Sequence, residues 1–121
     1  MNDSNPDLNE SMAAMTEREL LIALGRELAE RERNLRLPGP GELAAKGQVW
    51  LDSHLYMLQD KLCKSHEIRS IVAHEDAALV TAVADLIASY CIGVSPVTVA
   101  YLLCKREIGS LCSEIWNETP G

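Results

Sequence analysis

Leucines recur at positions 20, 21, 24 and 28, while Glu17, Arg18, Arg26, Glu30 and Arg33 are assigned to the opposite face. Steps of three and four gather the apolar positions into one stripe on a helix of 3.6 residues per turn. Thr16 and Glu19 stand at capping-box spacing, which places the helix start at Thr16. The pattern predicts an amphipathic arm helix over residues 16–36. Within it, the alternating charges from Glu27 to Arg33 read as a solvated face. Residues 1–15 have no periodicity and are expected to form a disordered tail.

Two prolines and two glycines, Pro38 to Gly41, interrupt the pattern and mark residues 37–41 as a hinge. Periodicity resumes at Glu42, predicting a helix to Lys64. Leu51, Leu55, Leu58 and Leu62 step by four, three and four along it, a short heptad-like seam flanked by Trp50 and Met57. Val49, Tyr56 and Cys63 form a second apolar line, so this helix is expected to meet more than one neighbour. Ile68, Ile71 and Val72 suggest a short further helix. The segment from Asp76 to Cys91 is apolar nearly all round, and Gly93 ends it. Ser95-Pro96 carries the N-cap and first-turn signals of a last helix, with Gly109 as its point of bending or division. Residues 117–121 are expected to form a polar tail. The expected fold is all-α, a four- to five-helix bundle in which the arm precedes a helical body over 42–116.

Composition adds constraints. Aromatic residues are 4% of the chain and Phe is absent, so Leu, Ile, Val, Ala and Met must supply the core, as suits interlocking helices. Eighteen acidic against eleven basic residues give a formal charge of -7. That sign argues against nucleic acid and favours a protein partner, basic by complementarity, or a homo-oligomer. The four cysteines, 63, 91, 104 and 112, sit in apolar or helical runs. The first nine residues are polar and acidic where a secretory leader would be basic. A cytoplasmic protein with free thiols is expected.

One stretch invites a different reading. From Ala77 to Cys104 Asp85 is the sole charge, and Lys105-Arg106 follows as at a cytoplasmic membrane edge. Gly93 to Pro96 divides the run into pieces short for a span. A buried helical hairpin is therefore expected, with a membrane hairpin over 77–104 as the alternative.

Candidate chemistry is sparse. Cys63 and His66 have C-x-x-H spacing without a second close pair, and H-E-x-x-H fails at both His66 and His74. No nucleophile has a base and an orienting group at telling positions, and no phosphate-binding glycine loop occurs. Cys104 and Cys112 would share a face on one continuous helix. No catalytic residue, cofactor or metal is expected. The predicted role is a non-enzymatic protein-interaction or assembly subunit. Its expected contact surfaces are the arm face (Leu20, Leu21, Leu24, Leu28) and the hairpin tip (Ile92, Val94, Val97, Tyr101). An antitoxin or immunity-type protein that neutralises a basic partner is an alternative.

Overall fold

The capping box at Thr16 is formed in both directions. The Thr16 amide donates to Glu19 Oε1 at 2.8 Å. The Glu19 amide donates to Thr16 Oγ1 at 3.1 Å. This computed structural model describes residues 12–31, 38–72 and 77–118. All its regular structure there is helical: α1 (Glu17–Arg31), α2 (Pro40–Cys63), α3 (His66–Ile71), α4 (Ala77–Ile87), α5 (Pro96–Lys105) and α6 (Ile108–Glu118). A 3-10 turn, Ala88–Tyr90, extends α4. Helix α2 starts at Pro40 rather than Glu42, because a proline at the first position gives up only an amide that a helix leaves unpaired. Pro40 and Gly41 are thus helical, and of the predicted hinge only residues 38 and 39 are described outside a helix. Residues 32–37, 73–76 and 119–121 lie outside the described residues.

The arm is not a separate body. Helix α1 packs along α2 more extensively than any other pair of elements. Two glycines permit it. A Cβ at Gly25 would stand 1.9 Å from the Leu43 carbonyl oxygen, and one at Gly47 would stand 2.3 Å from that of Leu21. These pairings, 25 with 43 and 21 with 47, run the two helices antiparallel at backbone contact. Leu20 and Leu24 are wholly buried, and Leu21 nearly so.

The segment 12–15, assigned to the tail by its sequence, is also docked. Residues 12–14 make a helical turn, and Met12 and Met15 pack partly buried against the core. Residues 1–11 lie outside the described residues.

Helices α4 and α5 form the expected buried hairpin, with Leu79, Val83, Ile87, Val99, Leu102 and Leu103 inside. Asp85 lies exposed on its outer side. Among the described residues, no helix is long and apolar enough to cross a membrane. Glu27 ties the hairpin to α1. Its carboxylate accepts from the Ser95 amide at 2.7 Å and the Thr98 hydroxyl at 2.9 Å. It thus joins the Ser95 N-cap at the start of α5, where a negative charge is favoured. The sequence-based reading of Glu27 as part of a solvated face is corrected by this contact across 68 residues.

Arg106 joins three elements. It pairs with Glu17 at 3.0 Å and donates to Gln48 Oε1 at 3.4 Å. Lys105 donates to the Ala13 carbonyl at 2.8 Å. The two basic residues thus tie the end of α5 to residues 13 and 17 and to α2.

The last helix divides at Glu107, just before Gly109. Glu107 takes φ 62° and its amide bonds back to Cys104, while its own carbonyl accepts the first amides of α6. Cys104 and Cys112 therefore lie on different helices. Cys112 is bonded instead to Cys63, which corrects the expectation of four free thiols. That bridge, a hydrogen bond from Trp116 Nε1 to the Cys63 carbonyl at 2.8 Å and one from Gln59 to the Leu111 carbonyl hold α6 against the end of α2.

Candidate interaction surface

Packing sorts the two apolar lines of α2 differently. Leu51, Leu58 and Leu62 are fully buried beneath α1, α4 and α6, and Leu55 is half-buried. The second line stays outside. Val49 is 65% exposed and Tyr56 84%, while Cys63 at its end is buried in the disulfide. Met57 is 38% exposed beside Tyr56. Helix α2 is long enough that one side can serve the core from end to end while the other remains bare.

The outer side has an ordered pattern. Measured around the axis at 100° per residue, Glu42, Lys46, Val49, Ser53, Tyr56, Met57, Asp60 and Lys64 all fall within about 60° of Ser53. The apolar side chains occupy its middle and the charges its ends. Lys64 and Asp60 form an ion pair at 2.9 Å, the lysine side chain largely exposed and the carboxylate about half-exposed. The hydrogen bond to the Asp60 carboxylate, with its charge, holds the Lys64 ammonium above its ordinary pKa. On one flank, Gln48 donates to Asp52 at 2.7 Å. On the other, Trp50 stacks on His54 with ring centroids 4.0 Å apart, and His54 Nδ1 lies 2.8 Å from the Trp50 carbonyl oxygen. These contacts set the rims of the face without covering its centre.

Of the contact residues expected from the sequence, most are internal to the chain. Leu20, Leu21 and Leu24 are in the core and Leu28 is half-buried. At the hairpin tip Val94 and Tyr101 are buried and Val97 is half-buried, so only Ile92, at 71%, stands out. Their stripes are what an intramolecular helix pair requires, and spacing does not distinguish that use from an intermolecular one.

The remaining side chains suggest little chemistry. Cys63 is committed to the disulfide, so the Cys63–His66 spacing offers no thiolate. His74 lies outside the described residues. Among the described residues no group of three or more His, Cys, Asp or Glu side chains comes together as a metal site would need. Cys91 is buried, and desolvation, with Glu27 nearby, pushes its thiol up to about 11, away from nucleophilic character. Cys104 is half-exposed between two open cavities of about 300 and 360 Å³. Comparison with protein-family models, curated proteins and solved structures finds no match.

Val49, Tyr56 and Met57 were visible in the sequence as apolar positions on α2. Their exposure was not, because two apolar lines predict two neighbours without saying whether the second belongs to the same chain.

Proposed function

We propose that this protein is a non-enzymatic helical interaction subunit that binds another protein chain through the outer face of α2. One observation carries the reading. A chain whose aromatic content is 4% places one of its three tyrosines 84% exposed, between an exposed Val and an exposed Met, on its longest helix. Isolated exposed apolar residues are ordinary, but a cluster rimmed by charges is the composition of an interface centre. Tyrosine suits such a centre, since it offers large contact area at the loss of few rotamers.

A cytoplasmic setting loses the support that four free thiols would have given it. The Cys63–Cys112 bridge counts against that setting, since structural disulfides persist mainly in oxidising compartments.

The test is photocrosslinking in cells. A photoreactive phenylalanine analogue replaces Tyr56 in one strain and Asp85, an exposed residue on α4, in another. A discrete adduct from position 56, missing from position 85 and lost when Val49→Glu is added, is the expected result. Equal, diffuse labelling from both positions would refute the reading.

A further inference from the structure

The charge order on the outer face of α2 specifies an occupant. Along the axis it reads Glu42, Lys46, an apolar centre, Asp60, Lys64. Lys46 and Asp60 lie seven positions either side of Ser53, and Glu42 and Lys64 lie eleven either side. Turning a second copy end over end about Ser53 therefore sets Lys46 opposite Asp60 and Glu42 opposite Lys64, each twice, in addition to the Asp60–Lys64 pair within each copy. Parallel pairing would instead place like charges together, which is unfavourable.

The apolar residues obey the same operation. A two-fold axis perpendicular to both helices keeps each side chain on its own side of the face. Val49 and Tyr56 lie on one side of Ser53, and Trp50 and Met57 on the other. Val49 of one copy then meets Tyr56 of the second, and Trp50 meets Met57. We infer that the outer face of α2 is a self-complementary surface that pairs antiparallel with α2 of a second copy, forming a symmetric dimer. The inference rests on the interaction reading above and names the partner for it.

The strength follows from the size. The face from Glu42 to Lys64 is about 33 Å long at 1.5 Å per residue. A strip about 10 Å wide then covers roughly 700 Å² over both copies, below the roughly 1,000 Å² of a stable interface, so the association is weak and transient. Both copies also carry a formal charge of -7, which adds long-range repulsion. A dissociation constant of tens of micromolar is expected.

Sedimentation equilibrium on the full chain, up to about 200 µM at near-physiological ionic strength, spans that range. The wild type should pass from monomer to dimer. Lys46→Glu and Asp60→Lys should each weaken the dimer about tenfold, since each turns two attractive contacts repulsive. The double variant should recover to within about twofold of wild type, which parallel pairing does not predict. Circular dichroism checks that each variant is folded. A monomer throughout the range, or a double variant no better than either single one, would overturn the antiparallel dimer. A monomer that still gives the discrete Tyr56 adduct with a different protein would overturn the dimer alone and leave the interaction reading standing.

Discussion

Replacing Gly47 by Ala is the sharpest probe of how this protein is held together. In an exposed helix interior, Gly→Ala stabilises by about 1 kcal/mol, because alanine loses less backbone freedom on folding. At Gly47 the new Cβ would lie 2.3 Å from the Leu21 carbonyl oxygen, and at Gly25 it would lie 1.9 Å from that of Leu43. An ordinary carbon–oxygen contact is about 3.3 Å, so α1 and α2 would have to separate by about 1 Å or more. The obstacle is backbone in both cases, so no rotamer change relieves it. Overpacking of this kind costs about 1–3 kcal/mol and sometimes more. The helices would also lose contact along Leu20, Leu24 and Leu51, all fully buried. Net destabilisation should be about 1–3 kcal/mol for Gly47→Ala, after the propensity gain, and greater for Gly25→Ala.

Gly109 supplies the control, since nothing lies within 4 Å of a Cβ built there. Gly109→Ala should stabilise by up to about 1 kcal/mol. For a chain of this length, about 1 kcal/mol corresponds to about 4 °C in Tm. Thermal melts followed by circular dichroism should therefore show Gly25→Ala and Gly47→Ala falling by about 4 °C or more, while Gly109→Ala rises by a few degrees. Three alanine variants all melting higher would refute the close crossing of α1 on α2, and with it the placement of the arm leucines in the core.

Thiol titration separates the four cysteines. At pH 8 the native protein should react at Cys104 alone, since Cys91 is buried with its thiol held at about 11. Unfolding without reductant should release Cys91 as well, and reductant should then expose Cys63 and Cys112; a native chain with four reactive thiols would contradict the bridge. Cys63 and Cys112 are 49 residues apart. Opening the bridge should therefore lower stability by about 4 kcal/mol in the loop-entropy account, read as a lower denaturation midpoint under reducing conditions. Glu27→Gln keeps the shape but turns one acceptor into a donor facing the donors of Ser95 and Thr98. In urea unfolding that change should cost about 2 kcal/mol. Unchanged stability would remove Glu27 from the hold on α5.

Local signals were legible where their physics is local. The Thr16–Glu19 box, the Ser95 cap and Pro96 are each formed as their spacing implies. Pairings set by contacts distant in the chain were not legible. Nothing near Glu27 announces that its carboxylate will cap a helix 68 residues later, and nothing near Cys63 announces Cys112. Nothing in the local pattern around Gly25 or Gly47 announces the close helix crossing each permits. Glu107 breaks the last helix with φ 62°, where the sequence marks Gly109 instead. Glycine is the residue that adopts this backbone most readily, but the turn falls where α6 must fold back to reach α2.

The same dependence on distant contacts concealed the exposed face of α2. Helix α2 carries a four-three-four repeat on its inner side, Leu51, Leu55, Leu58 and Leu62, and a three-four-three-four repeat on its outer side, Lys46, Val49, Ser53, Tyr56 and Asp60. Both repeats have the spacing that lets one helix seat against another. The inner one is satisfied within the chain. Leucines there need no directional partner, so α1, α4 and α6 can all share them. The outer one replaces leucine by charge at its ends, and charge discriminates between partners and orientations where leucine does not. An outer seam selected only for solubility would need no apolar centre, and one selected only for adhesion would need no ordered charges. Val49, Tyr56 and Met57 set between Lys46 and Asp60 combine both, and that combination is what the proposed antiparallel pairing requires and what the charge-swap variants test.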